Sequence, residues 1–174
     1  MASRAIRLFG DQVLRGRAKP TVATADETRE LVTDLFATLK GARGLGLAAP
    51  QIGVSARVFV VDLSPVELGA KPLALINPEL IAASEPIRGE EGCLSFPGLF
   101  VDVDRPEEAK MKYETLEGTT KEVDAKGLMA RVMLHELDHL DGVLFIDGLS
   151  TARRVLIEAK LRRTQRRQRK GETA

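Results

Sequence analysis

The chain has 174 residues, about the length of one domain, and 44% of them are hydrophobic while 29% are charged. This composition excludes a disordered or collagen-like protein, and without an apolar run long enough for a bilayer span or a secretory signal we expect a cytoplasmic protein with no membrane contact. A single cysteine, Cys93, excludes an intrachain disulfide and leaves a buried thiol, a reactive thiol or a metal ligand as its role.

The net charge of +1 hides an uneven distribution along the chain. Residues 153–174 contain nine Lys and Arg against two Glu, a net charge of +7, which leaves −6 for the first 152 residues. An acidic body with a basic tail favours an anionic partner for the tail, such as nucleic acid. A solvated helix end is the structural alternative.

The first part of the chain predicts one helix followed by strands. After an extended N-terminal arm, Thr24 and Glu27 form a capping-box pattern, and apolar residues at helical spacing continue to a helix end near Gly41. From Arg57 to Asp124 the pattern changes to short apolar or alternating runs, which predict antiparallel or mixed strands. These runs are RVFVVD, LALIN, LIAAS, VDVD and AKMKYET.

The last part of the chain predicts two more helices. The run LMARVMLHELDHL, residues 128–140, has helical spacing and is followed by Gly142. A short strand, LFID, and a basic helix over about residues 151–174 complete the chain. The fold class is therefore α+β: a single domain over residues 1–174, with mixed or antiparallel sheets packed around a central helix, an N-terminal helix and a C-terminal basic helix.

The central helix carries the strongest chemical signal. His135 and His139 are the only histidines in the chain, and with Glu136 they form the pattern HExxH. On a helix this spacing places two imidazoles one turn apart on one face, where they can bind one metal ion beside a carboxylate. Two histidines with satisfied hydrogen bonds are the structural alternative.

A catalytic metal site requires a third protein ligand and one open position for water. A third histidine, as in the metzincins, is excluded because Phe145 stands where it would fall. Two candidates remain: Cys93, in a tight segment between strand-like runs, and Glu158, nineteen residues beyond His139. Cys93 is preferred because Glu158 lies in the basic tail.

Three segments extend this pattern over most of the chain: GLGLAAPQIG at residues 44–53, EGCLS at residues 91–95 and HELDH at residues 135–139. Together, and in this order, they resemble the signature motifs of the peptide deformylase family. The first segment alone also resembles a dinucleotide-binding loop. It follows a predicted helix rather than a strand, however, and Pro50 and Gly53 interrupt the helix that such a loop should open.

The resemblance implies a metal centre and a reaction. Cys93, His135 and His139 would hold one divalent ion, natively Fe²⁺ with Zn²⁺, Ni²⁺ or Co²⁺ as substitutes, and water would be the fourth ligand. The implied reaction is hydrolysis of the N-formyl group from the formylmethionine of newly synthesised polypeptides, with release of formate. Glu136 would act as general base and then general acid. The side-chain amide of Gln51 and the backbone N–H of Leu94 would stabilise the oxyanion.

The same resemblance implies a way to hold the peptide and a partner for the tail. Gly44 and Gly46 allow close backbone approach, so that the substrate could pair with this loop like an added strand. The other expected substrate-binding residues are Leu45, Glu91, Leu128 and Val132. We expect a bacterial-type cytoplasmic monomer that acts on formylmethionyl nascent peptides and contacts the ribosome through its basic C-terminal helix.

Two positions depart from the family pattern. Phe100 stands where many relatives have an arginine that contacts substrate, and Leu134 precedes the HExxH pattern where relatives often carry Gln. Neither change touches the metal ligands, but the first bears on substrate recognition.

The competing hypotheses are a zinc peptidase with Glu158 as third ligand, and a non-catalytic ribosome-binding module with a structural metal.

Overall fold

The computed structural model describes residues 2–169, and the side chains of residues 2–163, so the last part of the predicted basic tail lies outside the described residues. Three α-helices occur in this range: α1 (Asp26–Ala42), α2 (Leu128–Leu140) and α3 (Thr151–Arg169). The strands are β1 (Gly46–Ala48), β2 (Val58–Val61), β3 (Leu73–Ala83), β4 (Pro86–Gly92), β5 (Phe100–Pro106), β6 (Glu108–Glu114) and β7 (Thr120–Lys126). Short 3₁₀ turns form at Gln12–Arg15 and Ala49–Ile52.

The strands form two separate sheets. Five of them lie in the order β1-β2-β3-β6-β7, while β4 and β5 pair only with each other as a two-stranded hairpin. Every pair among these strands is antiparallel. The α+β class is therefore confirmed, with antiparallel rather than mixed sheets, whereas the extent of the domain over residues 1–174 stays a prediction.

The large sheet is covered on both faces at β2. Val58 and Val60 belong to a core cluster with one face of α1, and Phe59 and Val61 belong to a second cluster with α2. All four β2 side chains are buried, which explains why this strand reads as a continuous apolar run instead of an alternating one. The helix α2 thus lies against the sheet, with its apolar side chains in the core.

A third cluster joins distant parts of the chain. The ring of Phe96, just beyond Cys93, lies 5.2 Å from the ring of Phe9 in the N-terminal arm and 5.1 Å from that of Phe145, which follows α2. Ring separations of this size are typical of favourable aromatic packing. This cluster therefore packs together the N-terminal arm, the Cys93 segment and the chain after α2.

Two predicted details are wrong. The helix α1 begins at Asp26 with Ala25 as its N-cap and no side-chain cap, because the capping-box residue Thr24 lies outside the helix. The LFID run forms a turn and not a strand, and the carboxylate of Asp147 accepts a hydrogen bond from the Leu144 N–H within it. The bounds predicted for α2 are confirmed, and no helix in residues 2–169 is long and apolar enough to cross a membrane.

Candidate metal centre

The three expected metal ligands converge at one point. Cys93 directly follows β4, while His135 and His139 lie one turn apart on α2. One donor atom from each of these residues lies within 4.8 Å of the others, and the Cys93 Sγ is 3.3 Å from the His139 Nε2. No other such group occurs in the part of the chain that the structure describes. A thiolate and two imidazoles suit several divalent transition metals, so the donor set fits a single cation.

A buried carboxylate oxygen fits a water bound to such a cation, while one ring nitrogen of His139, opposite the Nε2 that approaches Cys93, has no hydrogen-bond partner in the described part of the chain. Among the described residues, the Oε2 of Glu136 and the Nδ1 of His139 are buried without a hydrogen-bond partner. Burial lowers the pKa of His139 well below its usual range, so this ring is neutral, as a metal ligand must be. Burial raises the pKa of Glu136 to about 7, only partly opposed by His135 and Arg105. A carboxylate with this pKa is suited to exchange a proton near neutral pH.

Glu91 orients the ligand His135. Its Oε2 lies 3.0 Å from the His135 Nδ1 and its Oε1 accepts a hydrogen bond of 2.7 Å from the Arg105 Nε. Burial opposes ionisation of Glu91, but the hydrogen bonds from His135 and Arg105 outweigh it and lower the pKa to about 2. Nδ1 of His135 is thereby fixed as the donor to Glu91, and Nε2 is the ring nitrogen available to a cation. Burial lowers the pKa of His135, but the contacts with Cys93 and Glu91 outweigh it and raise the pKa to about 10, so a cation would have to displace a proton from this ring.

This arrangement changes what we expect of Glu91. The residue borders the cavity beside the ligands, as a substrate-binding residue should, but its carboxylate is 4% exposed and bonded to arginines and to His135. We therefore assign its side chain to the support of His135 rather than to direct contact with a substrate. Sequence reasoning did not single out the supporting charges, namely Arg105, Arg131 and Asp138.

Gln51 is held with its amide nitrogen towards the site. It lies in the 3₁₀ turn Ala49–Ile52 and is 1% exposed. Its Oε1 accepts a hydrogen bond from the Ala48 N–H at 2.8 Å, while its Nε2 donates to the Ser95 Oγ at 3.2 Å and lies 3.6 Å from the Cys93 Sγ. The turn therefore fixes which end of the amide faces the metal ligands.

A cavity of about 540 Å³ opens beside these groups. Apart from His139, every candidate site residue lines it: Gly44, Leu45, Gly46, Gln51, Glu91, Cys93, Leu94, Leu128, Val132, His135 and Glu136. Phe100 and Leu128 lie at its border and remain 63% and 45% exposed. The volume is sufficient for a side chain and part of an extended peptide.

Gly46 allows β1 to pass directly over the face of α2 that carries Glu136 and Val132. A Cβ at this position would lie 2.5 Å from the Oε1 of Glu136 and 2.7 Å from the Cγ1 of Val132. β1 pairs with β2 on one side only, because it is the first strand of the sheet. An edge strand with a glycine therefore lies beside the carboxylate.

Glu158, the alternative third ligand, is not part of the site. It lies on α3, where its carboxylate is 3.6 Å from the Arg162 guanidinium, and it does not belong to the group of potential metal ligands.

Comparison with known proteins gives a consistent result. Residues 3–155 match the family model of polypeptide deformylase. A peptide deformylase of Thermotoga maritima is 45% identical over 157 residues, which cover 90% of this chain and 93% of the relative. One of Rhodopseudomonas palustris (strain BisB18) is 41% identical over 170 residues, covering 96% and 97%. The crystal structure of a peptide deformylase from Legionella pneumophila superposes with a TM-score of 0.88 at 38% identity, covering 96% of this chain and 98% of that one. The Ehrlichia chaffeensis peptide deformylase in complex with actinonin gives a TM-score of 0.88 at 33% identity, covering 95% and 99%.

Proposed function

The chain belongs to the peptide deformylase family of metal-dependent hydrolases, which remove the N-formyl group from nascent polypeptides, and we propose that Cys93, His135 and His139 hold its one divalent cation. The convergence of one thiol and two imidazoles beside a buried carboxylate is the observation that carries this proposal. When bound, such a cation lowers the pKa of water and polarises a carbonyl oxygen.

We assign the native cation as Fe²⁺ on the resemblance to the family. The donor set itself is also suited to Zn²⁺, Ni²⁺ and Co²⁺. A thiolate ligand to ferrous iron should be sensitive to oxygen, so that anaerobic preparation should give the highest activity.

Glu136 is the general base and general acid of the proposed mechanism. It lies next to the ligand His135 in the sequence, and its Oε2 is buried with no partner among the described residues. With a pKa near 7, this oxygen can take a proton from the attacking water and later give it to the leaving amine of the methionine. The products are formate and a free amino terminus.

Gln51 and Leu94 would stabilise the negative charge that develops on the formyl oxygen. The amide nitrogen of Gln51 is fixed within 3.6 Å of the Cys93 sulfur, close to the expected position of this oxygen. Leu94 lines the cavity directly after Cys93, so its backbone N–H is near the same position. Neutral, preorganised donors of this kind favour the transition state without adding a charge to the site.

The peptide would be held along β1. Gly46 begins this edge strand and Gly44 lies two residues before it, and a substrate backbone could add along this edge as a further strand. Leu45, Leu128 and Val132 line the apolar part of the cavity and would contact the methionine side chain. Main-chain pairing explains how an enzyme can act on many sequences that share only the first residue.

Formate release from formyl-Met-Ala-Ser by iron-loaded protein under anaerobic conditions tests the proposal. Glu136→Ala should abolish turnover while metal content is retained. Cys93→Ser should lose the metal, whereas Glu158→Gln should keep both metal and activity. The reverse pattern for these two variants would support the zinc-peptidase alternative, and full turnover by Glu136→Ala would support a structural metal.

The basic helix α3 would contact ribosomal RNA. Ile157 and Leu161 pack against the third core cluster, which leaves Arg153, Arg162 and Arg163 exposed. Deletion of the residues after Arg162 should weaken salt-dependent cosedimentation with ribosomes while hydrolysis of the formyl peptide is retained. Unchanged cosedimentation would contradict this assignment.

We further propose that the protein is a cytoplasmic monomer of one domain.

A further inference from the structure

Arg131 has no role in the mechanism above, although it lies on α2 one turn before His135. Its side chain is only 13% exposed. The Nη1 donates hydrogen bonds to the Glu91 Oε1 at 2.9 Å and to the carbonyl oxygens of Gly89 at 3.3 Å and Val103 at 3.1 Å, and the Nη2 donates to the carbonyl oxygen of Ile87 at 3.0 Å. A single guanidinium on the metal-binding helix is thus bonded to the main chain of both β4 and β5.

The β4–β5 hairpin forms no strand pairing with the main sheet in the described residues, so it is held by Val101 in the third core cluster and by side-chain bonds such as these. A two-stranded hairpin on its own is marginally stable in water. The last residues of β4, Glu90, Glu91 and Gly92, line one wall of the cavity, and the proposed ligand Cys93 follows directly. The distance from this wall to α2 therefore depends on side chains that bridge the two elements.

Gly89 provides a second, independent observation. A Cβ on this residue would lie 2.7 Å from the Nη2 of Arg131 and 2.9 Å from its Cζ. Gly89 is not among the glycines with positive φ, so the backbone conformation does not call for a glycine here. The missing side chain instead makes room for the guanidinium against the strand.

The other arginine of this region also bridges the two elements, but through carboxylates. Arg105, on β5, bonds to Glu91 on β4 and to Asp138 on α2, whereas Arg131 bonds both to the Glu91 carboxylate and to the main chain of the two strands. Without Arg131, the Glu91 carboxylate would still be bonded to Arg105 and His135. Removing Arg131 should therefore loosen the hairpin backbone while the metal ligand keeps its orientation.

We propose that Arg131 is a positioning residue for substrate binding, which holds the β4 wall of the cavity at a fixed distance from α2. This inference rests on the proposed function, since the wall is taken to face the peptide. Its signature is a change in KM with little change in kcat, because the reacting groups on α2 and Cys93 are held by other contacts.

Arg131→Met and Gly89→Ala test the proposal in steady-state assays with formyl-Met-Ala-Ser. We expect KM to rise roughly tenfold in both while kcat stays within about threefold of the wild type. Arg131→Lys should keep the raised KM, since one ammonium group cannot bond to both strands as the guanidinium does. Arg88→Met is the matched control, because Arg88 is 64% exposed and pairs with Asp102 across the same hairpin.

Two further measurements do not depend on turnover. Amide hydrogen exchange in residues 86–106 should be faster in Arg131→Met and Gly89→Ala than in Arg88→Met, and the visible spectrum of the cobalt-loaded protein should be the same in all. An unchanged KM and unchanged exchange in folded Arg131→Met would overturn the proposal, as would a loss of kcat with a changed cobalt spectrum. If the wild type released no formate, the proposed function would fail, and the exchange data would still decide whether Arg131 anchors the hairpin.

Discussion

Replacement of Gly46 by alanine tests the role of Glu136 without changing that residue. The new Cβ would lie 2.5 Å from the Oε1 of Glu136, whereas ordinary van der Waals contact begins at 3.4 Å. The carboxylate must therefore move by about 0.9 Å and the Val132 Cγ1, which would lie 2.7 Å away, by about 0.7 Å, or β1 must lift away from α2. Because a misplacement of about 1 Å can cost about a hundredfold in rate, we expect kcat to fall by that factor, equivalent to about 2.7 kcal/mol.

The assay is formate release from formyl-Met-Ala-Ser at saturating substrate, with metal content measured on the same samples. Gly41→Ala is the matched control, since its Cβ would meet only the Ser3 Oγ, at 3.7 Å, and alanine is the better residue inside α1. This control should keep full activity and gain about 0.5–1 kcal/mol in the free energy of unfolding.

A double variant shows whether Gly46→Ala acts through the carboxylate. If it does, adding Gly46→Ala to Glu136→Ala should cause little further loss of kcat, because both changes remove the same proton transfer. Full additivity of the two losses, or a Gly46→Ala variant with kcat within threefold of the wild type, would refute the reasoning.

Three other predictions concern stability and specificity. Phe59→Ala should lower the free energy of unfolding by about 3–5 kcal/mol in urea denaturation, because the ring is fully buried between the sheet and α2, whereas exposed Val66→Ala should change it by less than about 0.5 kcal/mol. Burial tends to raise the pKa of Asp147, but hydrogen bonds from Arg15 and a backbone N–H outweigh it and lower the pKa below its usual value. The stability contributed by this carboxylate is therefore present above its unfolded pKa and lost as the pH falls below about 4. Asp147→Asn and Arg15→Met should both reduce the loss of unfolding free energy at acid pH. An unchanged pH dependence in these variants would contradict the assignment. Phe100→Arg should raise kcat/KM for formyl-Met-Ala-Asp relative to formyl-Met-Ala-Lys several-fold, because it places a cation at the border of the cavity, and an equal ratio in both proteins would place the third residue of the peptide elsewhere.

The convergence of the three proposed metal ligands could be predicted from the sequence because their signal is local or unique. His135 and His139 are related by one helical turn, and α2 has the bounds that its apolar spacing predicts. Cys93 is the only thiol in the chain, so a thiolate ligand could come from no other residue. In such cases the residue type and a single spacing are sufficient.

The support of these ligands could not be predicted in the same way. The contact of Arg131 with Gly89 spans 42 residues and depends on how the hairpin lies on α2, which no local pattern determines. The errors have a related cause. Thr24 lies close to a helix start but the chain enters α1 at Ala25, and the LFID run has β-forming residues but finds no neighbouring strand. The missing neighbouring strand decided the second outcome.

The packing of Phe9, Phe96 and Phe145 around one point bears on how activity is acquired. Segments far apart along the polypeptide must close large loops before this aromatic cluster and the adjoining ligands are assembled. A partly folded chain should have no partial activity, because no short fragment contains both the thiol and one of the imidazoles. Catalytic competence should therefore arise in a single late event, and gain of metal binding should coincide with the last step of refolding.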